Sequence, residues 1–166
     1  MSESPGHLGR NRLAQAWQAC MKRVSDSAWD RFVGGVLVLP TGLILGLAVW
    51  LEPDASGVGT HQQLGLDGCA ILSVWGFPCP MCGMTTSFAY YAELSLVQGV
   101  LNQPFSIVLF GATVGMFVTG LLDTLVPKGR WRRGLAWILR NETRMAVGIL
   151  SAMFLGWTYK YFLLAH

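Results

Sequence analysis

From Phe32 to Leu51 the chain carries no charged residue. At about 1.5 Å of rise per residue such a run crosses a hydrocarbon core of about 30 Å as a helix, and only a helix or a closed barrel satisfies its backbone there. Few folds accommodate a stretch of that kind. The run lies too deep in the chain, and is too weakly followed by small residues, to be a removable signal sequence, so it is expected to remain as an anchor. Pro40 should kink it, Gly42 and Gly46 should let a neighbouring helix approach closely, and Trp50 should mark an interface.

Two later runs are similar. Phe105 to Leu122 has Gly111 and Gly115 as its close-packing pair, and Met145 to Leu164 has Gly148 and Ala152, with Lys160 expected to snorkel toward the headgroups. With 52% of its 166 residues hydrophobic, the chain is expected to be all-α, an integral membrane protein with three transmembrane helices plus short interfacial amphipathic helices.

The net charge of +3 would be compatible with nucleic acid, but the cations are sorted along the chain. Arg10, Arg12, Lys22, Arg23 and Arg31 precede the first run, Lys128, Arg130, Arg132, Arg133, Arg140 and Arg144 lie between the second and third, and none falls between Leu51 and Pro104. Loops rich in Lys and Arg stay in the cytoplasm. The expected partners are therefore the bilayer and other membrane subunits, not nucleic acid. The expected location is the inner (cell) membrane, with the amino terminus cytoplasmic and the carboxyl terminus outside.

The division follows: residues 1–31 form a cytoplasmic tail and amphipathic helix, and residues 32–166 a three-span membrane domain with an extracytoplasmic, cysteine-containing cap at 52–103. Residues 1–10 should be disordered. Asn11 should cap a helix whose apolar face is Leu13, Trp17, Cys20 or Met21, and Val24, with Cys20 a small buried hydrophobe. In the cap, Ala70 to Phe77 is too short to span and suits an interface, Thr85 to Glu93 favours a short helix, and Ser95 opens a capping-box helix to about Asn102. Beyond the second run, Asp123 should be neutralised by Lys128 or Arg130, and Arg130 to Arg140 interleaves Trp and Leu with arginines as a second interfacial helix does.

The chemistry gathers at Cys79-Pro80-Met81-Cys82-Gly83. Pro80 presets one backbone angle and Gly83 can take positive φ, so the chain can curl until both sulfurs face one point. Cys69 adds a third thiol on the oxidising side of the membrane. Three functions compete for this pattern. One disulfide could pin a loop to a helix in an accessory, assembly or structural subunit of a larger complex; the absence of an intramembrane charge cluster favours this role over a transporter or a proton relay. His61, Cys69, Cys79 and Cys82 could instead form a Cys₃His zinc site, or a copper site with Met81 and Met84 as soft neighbours. Finally, Cys79 and Cys82 could exchange disulfides as a membrane oxidoreductase with Cys69 as relay.

The stretch from Cys69 to Pro104 resembles the bacterial domain-of-unknown-function family 2752, small membrane proteins with a Cys, a Gly-containing spacer, CPxCGxTR, a short helix and a downstream Asn-Pro. Cys69, Gly76, Pro78, Cys79, Pro80, Cys82, Gly83, Thr85 and Pro104 match as they stand. The resemblance implies a multi-pass bacterial membrane protein and no established activity. Thr86 stands where the family has Arg, and Gln103 where it has Asn. If that Arg steadies a thiolate or an anionic ligand, this chain has lost the function or borrows a cation from a partner.

Overall fold

The computed structural model of the chain describes residues 6–165, and among them it contains helices and loops with no strand. The order is α1 (Gly6–Trp50), a 3-10 turn (Thr60–Leu64), α2 (Ala70–Trp75), α3 (Met84–Ala92), α4 (Leu96–Asn102), α5 (Ser106–Leu125), α6 (Arg130–Arg140) and α7 (Glu142–Ala165). Two of these are long and apolar enough to cross a membrane: Cys20–Trp50 within α1, and α5. Only 17% of the most apolar stretch of each is buried within the protein. Side chains such as Leu39, Leu43, Val49 and Val118 therefore point outward, unlike those of a soluble core helix. α7 has the length, 24 residues, but is less uniformly apolar.

The amino-terminal helix does not stand apart from the first run. α1 is unbroken over 45 residues, because nothing from Val24 to Phe32 is Gly or Pro and so nothing ends it. It begins at Gly6, so residues 6–10 are helical and Asn11 lies inside the helix instead of capping it; residues 1–5 lie outside the described residues. Leu13 and Trp17, expected on an apolar face, have side chains outside the described residues as well. Cys20 is exposed, not buried, as are Met21 and Val24. In the cap, α2, α3 and α4 fall where expected, although Ser95 makes no side-chain cap to α4.

α1 and α5 pack antiparallel, and glycines other than the expected ones bring them together. A Cβ on Gly34 would lie 2.7 Å from the Gly120 carbonyl oxygen and 2.7 Å from Thr124 Oγ1, and one on Gly120 would lie 2.8 Å from the Gly34 carbonyl. Gly42 sits against Phe117, whereas Gly46, Gly111, Gly115 and Gly148 face open space. Gly34→Ala should therefore push the two helices apart and cost about 1–3 kcal/mol, read as a lower unfolding midpoint in detergent. The same change at Gly111 should leave the midpoint unmoved.

Polar contacts fasten α6 to one end of this pair. Asp123 is fully buried at the end of α5 and accepts from Arg130 Nη1 at 3.1 Å, from the Trp131 amide at 3.0 Å and from the Lys128 amide at 3.3 Å. Of the two cations expected to neutralise it, Arg130 does so with its guanidinium and Lys128 contributes only its backbone. Asp30 of α1 accepts from Trp131 Nε1 at 3.0 Å and pairs with Arg132 Nε at 2.9 Å. The cap packs at the opposite end of α1, where Ala48 and Leu51 are buried. From Asp30 to Trp50 is about 30 Å of helix, so the basic cluster and the cap are separated by roughly the thickness of a bilayer core.

Candidate metal centre

After α1 the chain turns sharply and docks on α3. Asp54 Oδ1 accepts from the Ser56 amide at 2.8 Å, the Asp54 amide donates to Thr60 Oγ1 at 2.9 Å, and Thr60 donates to Thr86 Oγ1 at 2.9 Å with both threonines buried. Thr86 is thus spent on holding the loop, which is why an uncharged residue fits there. Two positive-φ glycines, Gly57 and Gly59, shape the loop.

The motif then curls as its residues dictate. The Cys82 amide donates to the Cys79 carbonyl at 2.9 Å and the Met84 amide to the Met81 carbonyl at 3.1 Å, and Gly83 at φ +83° leads into α3. A Cβ on Gly83 would lie 2.6 Å from the Gly57 carbonyl oxygen, so both backbone angle and space require glycine. Cys69, immediately before α2, comes back across this turn. The sulfurs of Cys69, Cys79 and Cys82 all lie within 4.8 Å of one another, with no pair at disulfide-bond distance.

The three thiols line a cavity of about 260 Å³ together with His61, Met81 and Thr86. His61 is not one of the converging group; its Nε2 lies 3.1 Å from the Asp67 carbonyl oxygen. Met81 also borders a second, apolar cavity of about 450 Å³ against α1 and α5. Met84 lines that one and not the thiol cavity.

The thiols are not equivalent. Burial pushes Cys82 up to about 12, and the neighbouring charges of Cys79 and Cys69 push the same way. Cys79 is raised by burial and by Cys69. Burial opposes ionisation of Cys69 too, but the Leu72 amide at the start of α2 and the thiols of Cys79 and Cys82 outweigh it and hold its pKa down. A pKa of about 12 leaves Cys82 roughly three-thousandfold less thiolate than an ordinary cysteine near 8.5. In metal-free protein at pH 8, maleimide should therefore modify Cys69 well before Cys82, a sequence that peptide mass mapping over time would establish.

Sequence reasoning missed what holds the motif in place. Three of its carbonyls are clamped by side chains from elsewhere: Pro78 by Trp157 Nε1 at 2.7 Å, Pro80 by Gln103 Nε2 at 3.1 Å, and Gly83 by Asn102 Nδ2 at 2.9 Å. Lys160, expected to snorkel, is 1% exposed and donates to the Gly57 carbonyl at 3.2 Å and to Asn102 Oδ1 at 2.7 Å. The available signal was polarity in the wrong place: two adjacent amides between short helices, and one lysine in an apolar helix.

With the thiols, the turn and the clamp in hand, the comparison with known families is specific. Residues 69–117 match the family described as Protein of unknown function (DUF2752). This is the family that the motif resembles, and the matched range starts at Cys69 and takes in all three clustered cysteines, Asn102, Gln103 and the first part of α5. It does not extend to Gly57, Thr60, Trp157 or Lys160. No curated protein and no solved structure matches the chain.

Proposed function

We propose that this chain is a multi-pass protein of a bacterial cell membrane that holds one thiophilic metal ion, zinc foremost, between Cys69, Cys79 and Cys82 on the extracytoplasmic face. One observation carries the reading: three free thiols from either side of α2 converge to within 4.8 Å. Zinc takes four ligands in a closed site, and His61 at the cavity wall is the candidate for the fourth; copper(I), which favours sulfur, is the alternative with Met81 beside it. Disulfide exchange by Cys79 and Cys82 fits less well, because the attacking thiol of such a pair needs thiolate character and burial raises both.

The membrane reading is supported by the two apolar helices and by the length of α1 between the basic cluster and the cap. α7 serves as the third span, residues 1–31 and the arginines of α6 lie in the cytoplasm, and residues 52–103 form the outer cap. The role is accessory: a metal-stiffened cap on a bundle whose Gly111 and Gly115 have nothing packed against them, an arrangement that suits a neighbouring subunit's helix.

Purification in mild detergent from zinc-supplemented cells, followed by elemental analysis and native mass spectrometry, tests both parts. One equivalent of zinc that is lost on thiol alkylation supports the site, and co-purifying chains support the accessory role. Protein that emerges metal-free and does not take up added zinc or copper(I) ends the metal reading.

A further inference from the structure

Charged side chains are buried at three described positions, Asp30, Asp123 and Lys160. The two aspartates are accounted for, since Asp30 pairs with Arg132 and Asp123 with Arg130. Lys160 has no carboxylate partner among the described residues. Its ammonium is held by two neutral oxygens, of Gly57 and Asn102, and a buried cation with neutral partners alone is expensive to keep charged.

Its placement supplies the missing anion. The Lys160 Nζ lies 3.1 Å from where a Cβ on Gly83 would be and 3.1 Å from where one on Gly57 would be, wedged between the loop and the residue that follows Cys82. Asn102 joins the two, donating to the Gly83 carbonyl while it accepts from Lys160, so the ammonium sits against the backbone adjoining Cys82. Asn102, Ser87, Thr60 and Thr86 beside it are neutral, and the Asp54 carboxylate, in the same loop as Gly57, is taken up by the Ser56 amide and hydroxyl.

We propose that Lys160 is the counter-charge of the metal centre: a positioning residue on α7 that makes three thiolates tolerable in a buried site. This rests on the reading of Cys69, Cys79 and Cys82 as metal ligands. Three thiolates and one divalent ion carry a net charge of −1, which the ammonium cancels. The neutral whole is what a site with little access to water favours.

The test is cobalt(II) and zinc(II) titration of full-length protein in detergent, comparing Lys160→Gln, which keeps a donor without the charge, with Lys160→Arg, which keeps the charge. Lys160→Gln should weaken zinc binding by at least about tenfold, because an opposite charge within a few ångströms favours the ionised ligands. Its cobalt complex should lose about a third of the sulfur-to-cobalt charge-transfer intensity, as one sulfur keeps its proton. Lys160→Arg should retain full charge-transfer intensity and stay within a few-fold of the parent in affinity. If Lys160→Gln binds like the parent, or if both variants lose affinity equally with unchanged spectra, Lys160 is only a structural tie and the inference is wrong. Parent protein that binds neither ion overturns the metal reading itself, and this inference with it. Should Lys160→Gln not accumulate, Lys160→Met is carried through the same comparison, with its circular dichroism matched to the parent.

Discussion

A Cys82→Ser protein should bind zinc at least about a thousandfold more weakly than the parent, a loss of about 4 kcal/mol, and should no longer gain thermal stability from the ion. Serine is a poor ligand for zinc, and the site has only three sulfurs to begin with. Cys82 is also the most enclosed of the three, 5% exposed, so no solvent-side rearrangement replaces it. Thermal unfolding with and without a chelator measures the effect: the parent's midpoint should fall on chelation, and that of Cys82→Ser should not move. The pH dependence is fixed in sign by the thiols. Cys79 and Cys82 are both held above an ordinary cysteine, Cys82 at about 12, so between pH 6 and 8 both keep their protons in the apo protein. Each must release one when metal binds, so zinc affinity should fall by at least roughly a hundredfold for each unit that pH drops in that window. Affinity independent of pH there would mean that these thiols are not ligands.

The second large effect is expected at the other end of the molecule. Asp123→Ala should cost about 1–3 kcal/mol, because it leaves the Trp131 and Lys128 amides without an acceptor and the Arg130 guanidinium with only the Leu122 and Val126 carbonyls. Gly129, which precedes α6 at φ +59°, has no side chain to cap that helix, so the carboxylate from α5 does it across the turn. In the variant α6 should detach from α1, breaking the bond from Trp131 Nε1 to Asp30. Red-shifted tryptophan emission and early trypsin cleavage at Arg130, Arg132 or Arg133 would report this. Asp123→Asn, which keeps an acceptor, should lose about half as much. If α6 stays protected in Asp123→Ala, the turn is held by something other than this carboxylate.

Much of the architecture can be read from the residues. The uncharged run before Glu52 and the glycine-rich run after Pro104 become the two apolar helices, and the alternation of Trp, Leu and Arg from Arg130 to Arg140 becomes α6 with those same bounds. The convergence of Cys79 and Cys82 was visible because Pro80 and Gly83 leave the intervening backbone few options. Other features were not visible, and the reasons are physical. Whether a helix stops at Arg31 or continues depends on the absence of a breaker, and an amphipathic pattern that merges into an apolar one carries no mark of its own join. Which glycines touch depends on rotation about the helix axis, so Gly34 and Gly120 could not be told from Gly46 and Gly111. The clamp on the motif joins residues as far apart as Pro78 and Trp157, and no local pattern signals a pairing of that range.

That range also bears on how the protein is made. Trp157 and Pro78 are separated by 79 positions, and at about 5–20 residues per second the cysteines leave the ribosome roughly 4–16 s before the side chains that will fix their carbonyls exist. During that interval the nascent chain presents three sulfurs with no finished cradle. The cell must keep them from pairing with one another or with a bystander thiol until translation has delivered the last wall, so the cradle closes only when Trp157 reaches Pro78.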